Sequence, residues 1–220
     1  MQVSRSRLLK KDVFGTTGAV SGPGGRYVRR DCGNTLPIAR WIARRLLARE
    51  AAALAAADGV AGVPALLRRE RDVLDREFID GRPMQEGRPG DPDYFRQAAW
   101  IVRKLHRHGI VHNDLAKEPN FLVTPDGRPA IVDFQLSWCR SDRGRLFRIL
   151  AHEDIRHLLK HKRQYCPAAL TAREIAILAS PSLLTQVWRR TVKPVYLFVT
   201  RRLMGWRDRE GAGDRFRSDR

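Results

Sequence analysis

The chain has 220 residues, with 42 lysines and arginines against 24 aspartates and glutamates, a formal charge of +18 at neutral pH. That length buries a core as one large domain or two small lobes. Its three cysteines, Cys32, Cys139 and Cys166, are far apart and form no Cys-x-x-Cys pair, which excludes a disulfide framework and a zinc site and fits a reducing cytosol. The charge points to phosphate in some form, as nucleic acid, anionic lipid or a phosphorylated substrate, although part of it also reads as solubilising surface. No stretch has the apolar length of a signal peptide or a membrane span, so the expectation is a cytoplasmic protein, soluble or peripheral on the inner membrane.

In chain order, residues 7–30 predict a hairpin about the connection Ser21-Gly22-Pro23-Gly24-Gly25, followed by a strand from Arg26 to Arg30. Alternation along that strand puts Val28 and Arg30 on one face and Arg29 on the other. Residues Pro37 to Ala57 predict a helix, with proline at its start, apolar residues at Ile38, Trp41, Ile42, Leu46, Leu47 and Leu54, and Glu50 as its only acid. A further strand spans the region of Val73 to Gly81. Residues 93–108 predict a helix whose stripe is Phe95, Ala98, Ile101, Val102 and Leu105; His106 and His108 are spaced wrongly for one helix face and read as structural.

The segment from 105 to 135 is the most specific part of the chain. It holds His112-Asn113-Asp114-Leu115, then Asn120, then Asp133-Phe134-Gln135, with Pro125-Asp126-Gly127 turning between Phe121-Leu122-Val123 and Ala130-Ile131-Val132. Hairpin chemistry accounts for the turn. It does not require His112, Asp114, Asn120 and Asp133 together at these offsets. The set resembles the catalytic loop and metal-binding loop of the protein-kinase-like superfamily. Two departures stand out: Asn120 lies six residues after Asp114 where five is usual, and Gln135 replaces the glycine of the third motif. The interval from Asp114 to Asp133 is longer by the same single residue, as a bulge in the catalytic loop requires.

The resemblance implies an α+β, two-lobed protein-kinase-like fold with a small β-rich N-lobe over residues 1–80 and a mainly helical C-lobe over 81–206. It implies ATP and Mg²⁺ as cofactors, Asp114 as the residue that orients or deprotonates the acceptor hydroxyl, and Asn120 and Asp133 as metal ligands. Lys117 is placed to neutralise the γ-phosphate. Arg30 stands where such kinases carry a strand lysine, with Arg29 as its neighbour, and Glu50, twenty residues later, is the matching helix acid. Arginine keeps the charge but not the compact shape of an ammonium. Phe14-Gly15 resembles the tip of the glycine-rich loop without its preceding glycines, and Glu77 to Ile79 resembles the hinge that contacts adenine. Solvated helix charge at Glu50 and an ordinary strand end at Gly15 are the plainer readings of those two positions.

After Gln135 the chain lacks the Ala-Pro-Glu motif and a long activation segment, and a helix is predicted over Ala151–Lys160. This economy resembles the RIO-type and lipopolysaccharide-core kinase branches, as in small bacterial kinases. The resemblance spans residues 7–165. It implies phosphoryl transfer to a hydroxyl-bearing acceptor, foremost in a protein serine/threonine kinase of RIO-like type; a kinase of a lipid-linked sugar and a nucleotide-binding pseudokinase are the alternatives. Residues 182–206 carry apolar positions at helical spacing among arginines, with Trp188, Tyr196, Phe198 and Trp206, and fit either packing on the C-lobe or contact with an anionic membrane. Residues 207–220 are polar and expected to be disordered, and nucleic acid stays open as a partner.

Overall fold

The computed structural model describes residues 6–22 and 25–180. The expected membrane-facing or packing segment 182–206 and the tail 207–220 lie outside the described residues. Contacts gather Met1–Leu178 into one compact unit and Ala179–Arg220 into a second, and the elements below belong to the first up to the end of its final helix.

Five antiparallel strands form the first layer: Ser6–Asp12 (β1), Gly15–Gly22 (β2), Gly25–Asp31 (β3), Leu66–Arg69 (β4) and Val73–Glu77 (β5), in the order β1-β2-β3-β5-β4. Between β3 and β4 the helix Pro37–Ala56 (α1) crosses the sheet, with Pro37 in its first turn supplying a preset φ where no N–H partner is needed. The turn from β1 to β2 is tight. Gly15 has φ +133° and a Cβ there would lie 2.2 Å from the Asp31 carbonyl oxygen, so only glycine lets the turn close on β3.

The remaining elements are mostly helical: the short pair Arg82–Pro83 (β6) and Met84–Gly87 (α2), then Pro92–Arg107 (α3), Arg145–Tyr165 (α4) and Ala172–Ala179 (α5). Asp91 starts α3 by accepting the Asp93 N–H, and its buried side is Tyr94, Phe95, Ala98, Ile101, Val102 and Leu105. Two small sheets lie beside it. Ile110–Val111 (β7) pairs with Trp138–Cys139 (β10), and Phe121–Val123 (β8) pairs with both β6 and Pro129–Ile131 (β9). Gly109, at φ +75°, leads into β7 because a Cβ would meet the Arg140 carbonyl oxygen at 2.2 Å. One apolar core runs from Leu47, Leu54 and Leu74 through Phe95, Ile101 and Leu105 to Phe121, Ile131 and Phe134. All three cysteines are free.

Three features differ from the sequence reading. Strand β4 was not expected, since Leu66–Arg69 is four residues at a sheet edge, below the length at which a period shows. Helix α4 is longer at both ends than Ala151–Lys160. Trp41 and Ile42, counted in the apolar stripe of α1, face solvent, because that helix carries apolar residues on both its sides and its period alone cannot say which side is covered.

Candidate active site

Strand parity separates the two arginines of β3. Arg29 turns to one face and makes a two-pronged pair with Asp75 at 2.8 and 2.7 Å, while Arg30 faces α1. There Arg30 Nη1 lies 3.2 Å from Glu50 Oε2, and Nη2 lies 3.7 Å from Asp133 Oδ1. One guanidinium thus spans a helix acid and the metal-loop acid. A second arginine that sequence reasoning missed, Arg76 on β5, reaches Glu50 Oε1 at 3.3 Å. It shares a sheet face with Val28 and sits diagonal to Arg30.

Two cations and two anions cancel in this cluster. Its contacts are ionic in range without hydrogen-bond alignment, so Arg30 Nη1 and both Glu50 oxygens keep unused hydrogen-bonding capacity. Burial pulls the Arg76 guanidinium below its ordinary value, with Glu50 opposing the shift. Loss of Glu50 would leave two buried guanidiniums facing one another, a change of the kind that costs about 3–5 kcal/mol.

Asp133 has φ 67° and ψ 68°, a left-handed conformation that aspartate tolerates better than most residues. Its Oδ1 also accepts a 2.6 Å bond from the Gln135 side-chain amide, so the residue in place of glycine grips the acid beside it. Burial would raise the Asp133 pKa, but Arg30, the Gln135 amide and Arg76 outweigh it and hold the carboxyl below the usual range. It is therefore ionised at neutral pH.

The loop from His112 to Glu118 is strung along one face of α4. Asp154, buried, accepts the backbone N–H of His112 at 2.7 Å and of Asn113 at 3.0 Å, and the His106 ring nitrogen lies 3.2 Å away. His161 meets the Leu115 carbonyl at 2.9 Å, and the Tyr165 hydroxyl donates to Glu118 at 2.9 Å. Steps of seven and four along the helix follow three successive stations of the loop. The signal was present in the sequence as polar residues on an otherwise apolar stripe containing Leu158. The His112 ring packs on Phe134 at 4.7 Å and lies 3.1 Å from the Val132 carbonyl, which ties this loop to the segment around Asp133.

Asn120 is buried and its amide nitrogen donates to the backbone oxygen of Asp114 at 2.8 Å and to Asp114 Oδ2 at 3.0 Å. Its own carbonyl receives the Val132 N–H at 3.0 Å, one residue before Asp133. Lys117, half-exposed, lies 3.1 Å from Asp114 Oδ2. Lys117 starts a 3-10 turn over Glu118–Asn120. Among the described residues no group of three or more His, Cys, Asp and Glu side chains can hold a metal. One carboxylate and one amide oxygen fit instead a cation such as Mg²⁺ that takes most of its ligands from phosphate and water.

Gly15, Glu77 and Ile79 complete the expected set. Gly15 is accounted for by its packing on Asp31. Glu77 ends β5 with its N–H donating to the Ala65 carbonyl at 2.9 Å and its carboxylate accepting the Ala65 N–H at 3.1 Å. Glu77 and Ile79 also border a cavity of about 660 Å³ between the α1–β4 connection, α3 and the β8–β9 hairpin, which none of Asp114, Asn120 and Asp133 lines.

Because α4 carries the anchors of the loop, its histidines set a pH limit. Burial drives His157 down to about 4, helped by Lys160 and opposed by Glu153, and burial lowers His161 as well. The unfolded chain takes up a proton near pH 6.5 that the folded chain refuses until about 4. Stability is full above pH 6.5 and falls as pH drops, by roughly 3 kcal/mol for His157 at about 1.4 kcal/mol per pH unit. Urea midpoints measured from pH 7 to 4 should fall less steeply in His157→Gln than in the parent.

No family model matches the chain, and no curated protein matches it. Solved structures do. The Rio2 kinase from Chaetomium thermophilum matches with a TM-score of 0.60 at 16% identity, over 78% of this chain and 59% of that one. The same kinase in its ADP/Mg²⁺-phosphoaspartate complex matches with a TM-score of 0.57 at 17% identity, over 80% and 60%. The chain spans about three-fifths of the length of these structures. Its fold is the two-lobed α+β fold of these structures, with residues 134–144 between Asp133 and α4.

Proposed function

We propose that the chain is an ATP- and Mg²⁺-dependent phosphotransferase that moves the γ-phosphate to a hydroxyl, foremost as a protein serine/threonine kinase of RIO-like type in the cytoplasm. One observation carries the reading: Arg30 joins Glu50 to Asp133 while Asp114 is bonded to Asn120 immediately beside the same loop. A structural ion pair would not need the second half of that arrangement. The ADP/Mg²⁺ complex of the Rio2 kinase supports the same cofactors.

In this reading residues 1–80 and 81–206 are the two lobes that enclose the nucleotide, with the Phe14-Gly15 turn over its phosphates and the Glu77–Ile79 link against adenine. Arg30, held by Glu50, grips the phosphates. Asp133 and the Asn120 amide oxygen would hold Mg²⁺, which supplies charge neutralisation on the phosphates when bound. Asp114 accepts the acceptor hydroxyl's hydrogen bond and its proton, and Lys117 beside it faces the developing charge.

A second reading has its own observation. Asp133 Oδ1 is already engaged by Arg30 and Gln135, which suits a pseudokinase that binds nucleotide without turnover. Incubation with γ-labelled ATP, Mg²⁺ and either total protein or total lipid separates the possibilities. Label in protein that Asp114→Asn abolishes supports the kinase; label in lipid moves the acceptor to a lipid-linked sugar. Nucleotide binding with no label in either fraction leaves the pseudokinase.

A further inference from the structure

The solvent side of α1 has an unusual composition. Such a face is ordinarily built from charged and polar residues of both signs. Past Ile38, each exposed position of this helix is Trp41, Ile42, Arg45, Arg49 or an alanine, and its sole acid, Glu50, is buried beneath Arg30 and Arg76. Trp41 is 60% exposed, Ile42 is 40% exposed, and Leu36, just ahead of the helix, is 75% exposed. At 100° per residue, Trp41, Arg45, Arg49 and Ile42 fall within a sector of about 100°. Arg45 lies over the Trp41 ring, 4.5 Å from its centroid. Among the described residues neither Arg45 nor Arg49 pairs with an acid, whereas Arg44 is bound to Asp72 at 2.6 Å.

We propose that this face docks on an anionic membrane surface, with Leu36, Trp41 and Ile42 entering the interfacial layer and Arg45 and Arg49 meeting lipid phosphates. Charge decides among the occupants. A second copy would set arginine against arginine, and the chain as a whole carries +18, so its own remaining segments offer little complement. A nucleic-acid backbone would match the arginines and leave the aliphatic groups and alanines against water. A bilayer interface takes both, since it accepts indole and aliphatic groups below its phosphates and draws basic residues to them. The inference does not depend on phosphoryl transfer.

The full chain is to be sedimented with phosphatidylcholine vesicles and with mixed phosphatidylcholine–phosphatidylglycerol vesicles. Binding is expected to the mixed vesicles alone and should weaken with added salt, as surface charges are screened over about 8 Å at physiological ionic strength. The double variant Arg45→Glu, Arg49→Glu should lose roughly tenfold or more in affinity. Both sites are exposed, and a retained thermal midpoint confirms the fold. Trp41→Phe is the conservative companion: it should still bind but lose most of the blue shift and the quenching by brominated lipid that the parent shows. A parent chain that ignores mixed vesicles overturns the proposal. So does vesicle binding that both variants leave unchanged, which places the contact elsewhere in the chain. Tight binding of single-stranded RNA that the double variant loses, without vesicle binding, assigns the face to nucleic acid instead.

Discussion

Replacing Asp133 by asparagine is expected to remove Mg²⁺-dependent ATP binding, with affinity falling about a hundredfold or more, while the chain stays folded. The size follows from the chemistry of a hard cation, for which a neutral amide is a poor substitute and whose charge stabilisation is worth several kcal/mol. Asparagine is preferred to alanine because residue 133 sits at φ 67°, which asparagine adopts readily and alanine does not. The amide keeps an oxygen for Gln135, and Arg30 keeps Glu50. Calorimetric titration with ATP, with and without Mg²⁺, reads the effect directly. A folded variant that binds Mg·ATP as the parent does would remove Asp133 from the metal site.

The residues of this cluster were legible to different degrees for physical reasons. Arg30 and Glu50 follow from strand parity and from a fixed interval between strand and helix, both of which are one-dimensional signals. Arg76 has no such signal. It lies on β5, paired to β3 only through the sheet, and it is one arginine among many until register puts it diagonal to Arg30. Asp154 was inside a helix that the sequence marks well, yet its work is done on backbone N–H groups of His112 and Asn113, and backbone donors leave no residue type to recognise. The solvent face of α1 was misread for the opposite reason. Apolar residues on both sides, Leu47 and Leu54 on the covered one and Trp41 and Ile42 on the open one, weaken the contrast that tells a covered face from an open one.

Asp114→Asn should lower turnover by roughly 10²–10⁴, the range that a positioned general base supplies, and leave ATP affinity within a few-fold of the parent. The separation rests on where the side chain points. Its partners are the Asn120 amide at 3.0 Å and Lys117 at 3.1 Å, and neither Arg30 nor Glu50 nor Asp133 touches it. Asparagine is isosteric, retains an acceptor for Asn120, and leaves in place the second Asn120 bond, which runs to the backbone oxygen of residue 114. What it removes is basicity and the charge opposite Lys117. A loss confined to kcat, with KM for ATP preserved, is the signature of a group that acts only as the acceptor proton moves. Turnover equal to the parent's would show that the acceptor is deprotonated elsewhere; a parallel loss of ATP affinity would show instead that Asp114 serves the nucleotide through Asn120, and the roles assigned to the two residues would have to be exchanged.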